Sequence, residues 1–201
     1  MNRTSKKMKS VQPSNREHAI ATAAQLFLQS GYAHTSMDDV MRESRVSKSN
    51  IYYHFKSKEE LLLAVVEYWA YKYETALNEL ISSRGSSVEQ RTMAFLQVLA
   101  EGFEARNGGG GCPFVSLYVQ SPGQASEVRA RIGRFFTELR PALEQLFRQG
   151  AEAGEFRSGI DAAEVSTLFL TTLEGALVLA ETTSDASLIA QSGRSFFKML
   201  R

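Results

Sequence analysis

The thirteen residues from Val46 to Lys58 read VSKSNIYYHFKSK: three Ser, three Lys, an Asn, two Tyr and a His surround only three strongly apolar side chains, Val46, Ile51 and Phe55. Hydroxyl, amide, imidazole and ammonium groups at this density can donate to phosphate oxygens and to base edges, which is the chemistry of a polyanion-binding face. Ser47 and Asn50 suit phosphate oxygens, Lys48 and Lys58 supply charge, and Tyr52, Tyr53 and His54 carry a donor on a rigid ring. The stretch holds no Arg, although Arg to guanine is the commonest specific base contact. Formal charge is divided in the same sense. Residues 1–58 carry ten Lys and Arg against four acids, a net +6, whereas the remainder carries thirteen against eighteen, a net −5. A basic front on an acidic body points to a polyanion partner for the front alone. A polar helical face that is merely solvated is the competing reading.

Catalytic and metal chemistry find little support. Asp38 with Asp39 and Glu59 with Glu60 are adjacent pairs, and neighbours on a helix point to different faces, so neither pair makes a shared acid–base dyad. His18, His34 and His54 lack metal-ligand spacing with one another, with Cys112 or with carboxylates, and no Ser-centred nucleophile elbow occurs. No catalytic residue, metal or cofactor is expected. The glycine run in GGGGCPF (108–114) is not a phosphate loop, because no Lys-Ser/Thr pair follows it. Cys112 is the single cysteine, which excludes an intramolecular disulfide. The basic N-terminus lacks a following apolar region, and no apolar run nears the roughly 18 residues of a membrane span. The most apolar stretch, Leu168 to Ala180, is broken by Thr171, Thr172, Glu174 and Gly175. These features predict a cytoplasmic protein with no membrane partner.

The elements that must position the polar stretch are all helical, with no sustained alternation of period two. Residues 1–13 read as a flexible basic arm. Ser14 can cap a helix with the apolar face Ile20, Ala23, Ala24, Phe27 and Leu28, stopped near Gly31. Ser36 can cap a short second helix with Asp38 and Asp39 in its first turn, and Ser47 a short third helix to about Phe55. Ser57 with Glu60 forms a capping box for a long helix from Lys58 to about Ser82. Further helices are expected over 88–106, over 113–120 with Pro113 at its first position, and over 125–153, where Pro141 should kink or divide it. Helices over 161–183 and 185–200 complete an all-α chain of about nine helices. Two short helices joined by Glu43–Val46 make a helix-turn-helix whose second member enters the DNA major groove, held on its bundle by Val46, Ile51 and Phe55.

The stretch Thr35–Leu61, TSMDDVMRESRVSKSNIYYHFKSKEEL, resembles the TetR family of one-component bacterial repressors through its S-K-x-x-x-Y-x-H-F-x-x-K-x-x-L pattern. The resemblance covers roughly residues 14–62. It implies a helix-turn-helix DNA-binding domain over 14–60 and a ligand-binding and dimerisation domain over 61–201. By resemblance, Lys48, Ser49 and Tyr52 approach base edges, while Thr35, Ser36, Ser47, Asn50, Tyr53, His54 and Lys58 clamp phosphates of a palindromic double-stranded operator. Two departures stand out: Ser44 and Arg45 occupy the turn where the family commonly has a small residue and Gly, and Ser49 stands where Gly is frequent.

The same resemblance implies dimerisation through the last two helices, with Leu168, Thr172, Gly175, Leu179, Phe196, Phe197 and Leu200 as interface positions; an intramolecular core is the competing role for each. Leu96, Leu99, Phe103, Cys112, Phe114, Leu117, Tyr118, Phe135, Leu139 and Phe169, with Phe95 and Phe136 beside them, are apolar enough to line an effector pocket. Such a lining favours a neutral or weakly polar small molecule. Cys112, as the N-cap before Pro113, has its thiolate favoured by the helix dipole. Its G-C-P-x-x-x-L setting also resembles a TetR subgroup that responds to electrophiles, which makes an electrophile reacting at Cys112 one expected effector. A small buried thiol is the alternative. The function these features imply is a ligand-released repressor; a helical small-molecule-binding or scaffolding protein without specific DNA binding is the rival.

Overall fold

The computed structural model describes residues 14–83, 85–106 and 108–201. The expected basic arm over 1–13 therefore lies outside the described residues. Nine helices follow one another among them: α1 (Asn15–Gln29), α2 (Met37–Ser44), α3 (Lys48–His54), α4 (Lys58–Ser82), α5 (Val88–Ala105), α6 (Pro113–Gln120), α7 (Ser126–Glu152), α8 (Ala162–Thr183) and α9 (Ser187–Leu200). Helices α1–α3 form a head, α5–α9 form a larger body, and α4 runs from one into the other.

Short polar side chains set the helix starts by accepting backbone N–H groups that a first turn leaves free. Ser14 with Glu17, Ser36 with Asp39 and Ser87 with Gln90 make reciprocal capping boxes. At α4 the box is modified. The Ser57 hydroxyl accepts from Glu60 N, but the Glu60 carboxylate accepts from Lys56 N at 2.7 Å. This ties the end of the turn after α3 to the start of α4. Pro141 does not divide α7, which continues from Ser126 to Glu152. Phe135 before the proline and Leu143, Leu146 and Phe147 after it are buried, so packing on both sides holds the helix together across the missing hydrogen bond.

The apolar core is continuous from Ala19 in the head to Leu200 in the body. In the head, Ile51 and Phe55 pack with Phe27, Leu61, Leu62 and Val65, all 2% exposed or less. In the body, Phe147, Phe169, Phe196 and Phe197 form an aromatic cluster whose Phe169–Phe196 and Phe196–Phe197 centroids lie 5.2 and 5.3 Å apart. This corrects three expected interface positions. Phe196, Phe197 and Leu200 are buried within their own chain, because α9 turns its apolar side onto α5, α7 and α8. Leu168, Gly175 and Leu179 point outward instead, with Leu168 46% and Leu179 55% exposed, and Thr172 is half-buried between them. Although α8 has a mean hydropathy of 1.4 over its most apolar window, it is packed between α7 and α9 and carries Glu164, Glu174 and Glu181.

Gly193 marks the closest approach of α9 to α5, where an added Cβ would strike Leu96 and Met93. Gly133 lies on the exposed side of α7 with open space around it. Gly193→Ala is therefore expected to destabilise by roughly 1–3 kcal/mol through overpacking, and Gly133→Ala to stabilise by about 0.5–1 kcal/mol through helix propensity. Urea unfolding of both variants checks the opposite signs.

Candidate functional site

The exposed side of α3 is the first site. Ser47, Lys48, Ser49, Tyr52 and Tyr53 are solvent-exposed, Tyr53 at 74%. The Ser47 hydroxyl accepts from Asn50 N and lies 3.3 Å from the Ser49 hydroxyl, so the two serines share one polar edge at the helix start. Lys48 Nζ lies 5.9 Å from the Tyr52 ring centroid, which places a cation and a phenol together on the same side. Asn50 is half-buried, with its Oδ1 enclosed and without a hydrogen-bond partner among the described residues. His54 is half-buried against Tyr53, centroids 5.0 Å apart, and lines an open groove between α1 and α4.

Three expected clamps have other tasks. Thr35 is 2% exposed and its hydroxyl donates to Gly31 O at 2.9 Å, so it fastens the α1–α2 turn and presents no free side chain. Ser36 is exposed, but its hydroxyl is bound to Asp39, whose carboxyl is held down to about 2 by the Ser36 hydroxyl and N–H and by Arg42. Lys58 stands 4.1 Å over the Tyr32 ring, where burial lowers its pKa; its charge joins the start of α4 to the end of the α1 segment. Lys56 caps the end of α3 through Tyr52 O and Tyr53 O. Arg45 is a further surface cation at the helix-turn-helix turn. It adopts φ 56, a left-handed conformation that Gly takes more readily.

The second site is an enclosed cavity in the body, with about 40 Å³ of free volume. Five of the ten expected positions line it: Cys112, Phe114, Phe135, Leu139 and Phe169. The others do not. Leu96 and Phe103 are buried under α9 and the glycine loop, Leu99 is half-buried outside the lining, Leu117 is fully buried outside it, and Tyr118 is exposed beneath Arg129. Phe114 and Phe135 stack at 3.8 Å, and Tyr73 meets each edge-on at 5.5 and 6.2 Å. Sequence reasoning missed Tyr73, Leu77 and Leu80 from α4, Thr92 from α5 and Glu174 from α8. The α4 residues are spaced for a buried stripe, and nothing in the sequence distinguishes a core face from a cavity face. Glu174 was legible only as a carboxylate interrupting an apolar run.

Cys112 begins α6 as expected, but it makes no side-chain cap hydrogen bond and is 4% exposed. Burial and the neighbouring Glu174 carboxyl push its thiol well above the usual range, outweighing the N–H groups of Val115 and Phe114 that favour thiolate. Helix-terminus effects amount to about 0.3–1 kcal/mol, whereas full burial can shift a group by 3–5 pK units, so the dipole loses.

Two paths connect the sites. α4 carries Lys58 at the head and Tyr73, Leu77 and Leu80 at the cavity. The glycine loop and α6 form a second path: Tyr32 N donates to Gln120 Oε1 at 2.6 Å, and Gly110 N donates to Glu181 Oε1 at 3.0 Å. A Cβ on Gly110 would come within 2.6 Å of Leu28, so this loop lies directly on the end of α1. Trp69, one helical turn before Tyr73, has Tyr68 edge-on at 5.4 Å and Lys72 and Arg106 within 6.0 Å of its ring.

Residues 19–65 match the family model for bacterial regulatory proteins of the tetR family, and residues 89–196 match the tetracyclin repressor-like C-terminal domain. The chain is 27% identical over 137 residues to the HTH-type transcriptional repressor NemR of Escherichia coli K12, covering 68% of this chain and 69% of that one. The regulatory protein TetR from Rhodobacter sphaeroides superposes with a TM-score of 0.83 at 20% identity, covering 92% and 97% of the two chains. A TetR transcriptional regulator from Chloroflexus aurantiacus J-10-FL is 31% identical with a TM-score of 0.74, covering 92% of each. The solvent-facing helix-turn-helix and the helical body fused to it thus have the same explanation: this chain belongs to the TetR family of DNA-binding bacterial transcriptional regulators.

Proposed function

We propose that the protein is a cytoplasmic repressor that binds an approximately palindromic operator as a homodimer and leaves it when a small molecule enters the body cavity. The observation that carries this reading is the continuity of α4, which starts beside α3 and supplies one wall of the cavity. A cavity of about 40 Å³ is far smaller than the roughly 150 Å³ that admits one aromatic ring, so an effector must part the helices around it. A ligand shifts an equilibrium only by preferring one state, and an expanded cavity supplies that preference. Parting α4 and α6 moves the head through both paths described above. Two heads must lie about 34–36 Å apart to meet successive half-sites, so a small tilt of each misses the spacing. The outward stripe of Leu168, Gly175 and Leu179 on α8 is the surface through which two chains pair.

Lys48, Ser49 and Tyr52 read bases in this arrangement, and Ser47, Asn50, Tyr53 and His54 hold phosphates. Lys48→Ala is expected to reduce discrimination between operator and unrelated DNA. Arg45→Gly should weaken all DNA, lessen the salt slope by about one per lost phosphate contact, and relieve left-handed strain of about 1 kcal/mol. Fluorescence anisotropy over a salt series, with thermal unfolding alongside, separates the two roles. Equal losses from both variants on every DNA would contradict them. Sedimentation at micromolar concentration is expected to show a dimer, alone and on DNA selected from a random pool. A stable monomer that binds no DNA would leave the rival reading of a helical small-molecule-binding protein.

The buried, protonation-favoured thiol favours reversible binding over an electrophile adduct at Cys112. N-ethylmaleimide is expected to label folded protein far more slowly than urea-unfolded protein, and Cys112→Ser to keep operator release by a small molecule. Rapid labelling accompanied by release in wild type, absent in Cys112→Ser, would restore thiol sensing.

A further inference from the structure

The cavity lining is aromatic and aliphatic apart from the Tyr73 hydroxyl, Thr92, and the Cys112 thiol and Glu174 carboxyl, which are hydrogen-bonded to each other. Glu174 Oε2 is enclosed with no hydrogen-bond partner among the described residues, and so is the hydroxyl of Thr92, itself 1% exposed. The Cys112 thiol can satisfy only one side of the carboxyl. A buried acceptor left without a donor costs about 1–3 kcal/mol, and more when charged. Among the described residues, no Lys, Arg or His lines the cavity. An anionic effector would meet Glu174 without a counter-charge, and a purely apolar one would leave Oε2 unsatisfied. Phe114, Phe135, Tyr73, Phe95 and Phe169 line the same cavity, and an aromatic ring attracts a cation placed over its face.

We propose that the cavity takes a hydrophobic amine: a protonated nitrogen on an aromatic or branched aliphatic body, with Glu174 as its counter-ion. This replaces the expectation of a neutral ligand with a cationic one and rests on the body cavity being the effector site. The groups facing Glu174 are Cys112 at the start of α6 and Tyr73 on α4, with Arg106 acting on Tyr73 from the end of α5; α7 presents none that titrates. Burial raises the Glu174 pKa, so its carboxyl becomes protonated more readily as pH falls. An alkylammonium stays charged well above neutrality. Amine affinity should therefore climb with pH through the Glu174 titration, while affinity for an uncharged analogue should not.

The test is calorimetric titration of the full chain with 4-phenylbutylamine, 4-phenylbutan-1-ol and 4-phenylbutyrate between pH 5 and 8, with operator release measured in parallel. The amine is expected to bind at least about tenfold more tightly than the alcohol at the upper end, a difference of one decade in Kd, with the carboxylate weakest. Glu174→Gln, which stands in for the protonated carboxyl, should erase both the amine preference and its pH dependence. Equal binding of amine and alcohol, a preference surviving in Glu174→Gln, or no binding of any probe at millimolar concentration overturns the proposal. If Glu174→Gln does not fold, the wild-type pH profiles decide alone. Selective amine binding without operator release would refute the effector reading and keep the amine site; release by alcohol or carboxylate without amine preference would do the reverse.

Discussion

A helix cannot be bent at one end without moving the other unless something along it yields, and α4 offers little that yields. It contains neither Pro nor Gly between Lys58 and Ser82. Its first turns are locked in the head by Leu61, Leu62, Val65 and Val66, each fully buried, and its later turns belong to the cavity wall. The head therefore has no independent core boundary; the apolar cluster passes through α4 without interruption. Every account of how the body influences the recognition helix starts from this shared rod. The Tyr32–Gln120 hydrogen bond and the Gly110–Leu28 contact convert it from a single hinge into a two-point attachment.

The body combines two incompatible demands. Its aromatic cluster around Phe147 and Phe196 is packed as a core, whereas the neighbouring volume between α4, α6, α7 and α8 keeps free space and enclosed polar atoms. Unsatisfied buried acceptors are rare in native proteins, and each calls for a partner from outside the chain. The same environment works against thiolate formation at Cys112. A residue at a helix start is reactive only when water and cations can reach it, and here a carboxyl and apolar rings surround the thiol.

Legibility in the sequence followed the locality of the signal. Caps at Ser14, Ser36, Ser47 and Ser57 act within three residues, and the helix starts they mark are those of α1 to α4. Helical period identified which residues were inside, but not which interior space they faced. Phe196, Phe197 and Leu200 read equally well as interface or as core, and only the position of α9 against α5 decides. Thr35 and Lys58 show the same limit. Both are polar and close to the recognition helix, yet Gly31 O and the Tyr32 ring engage them first. The cavity was half legible because aromatic richness survives in composition, while its polar end is assembled from α4, α5, α6 and α8, far apart in the chain.

The chain has one tryptophan, and its position gives the molecule a built-in optical gauge. Trp69 sits on α4 between the head and the cavity wall, with its indole N–H enclosed and Lys72 and Arg106 beside its ring. Indole emission responds to nearby charge and to water, so movement of α4 relative to the end of α5 would register as a change in colour and intensity. Any motion of α4 can thus be followed in unlabelled protein, one turn away from the cavity wall that the same helix supplies.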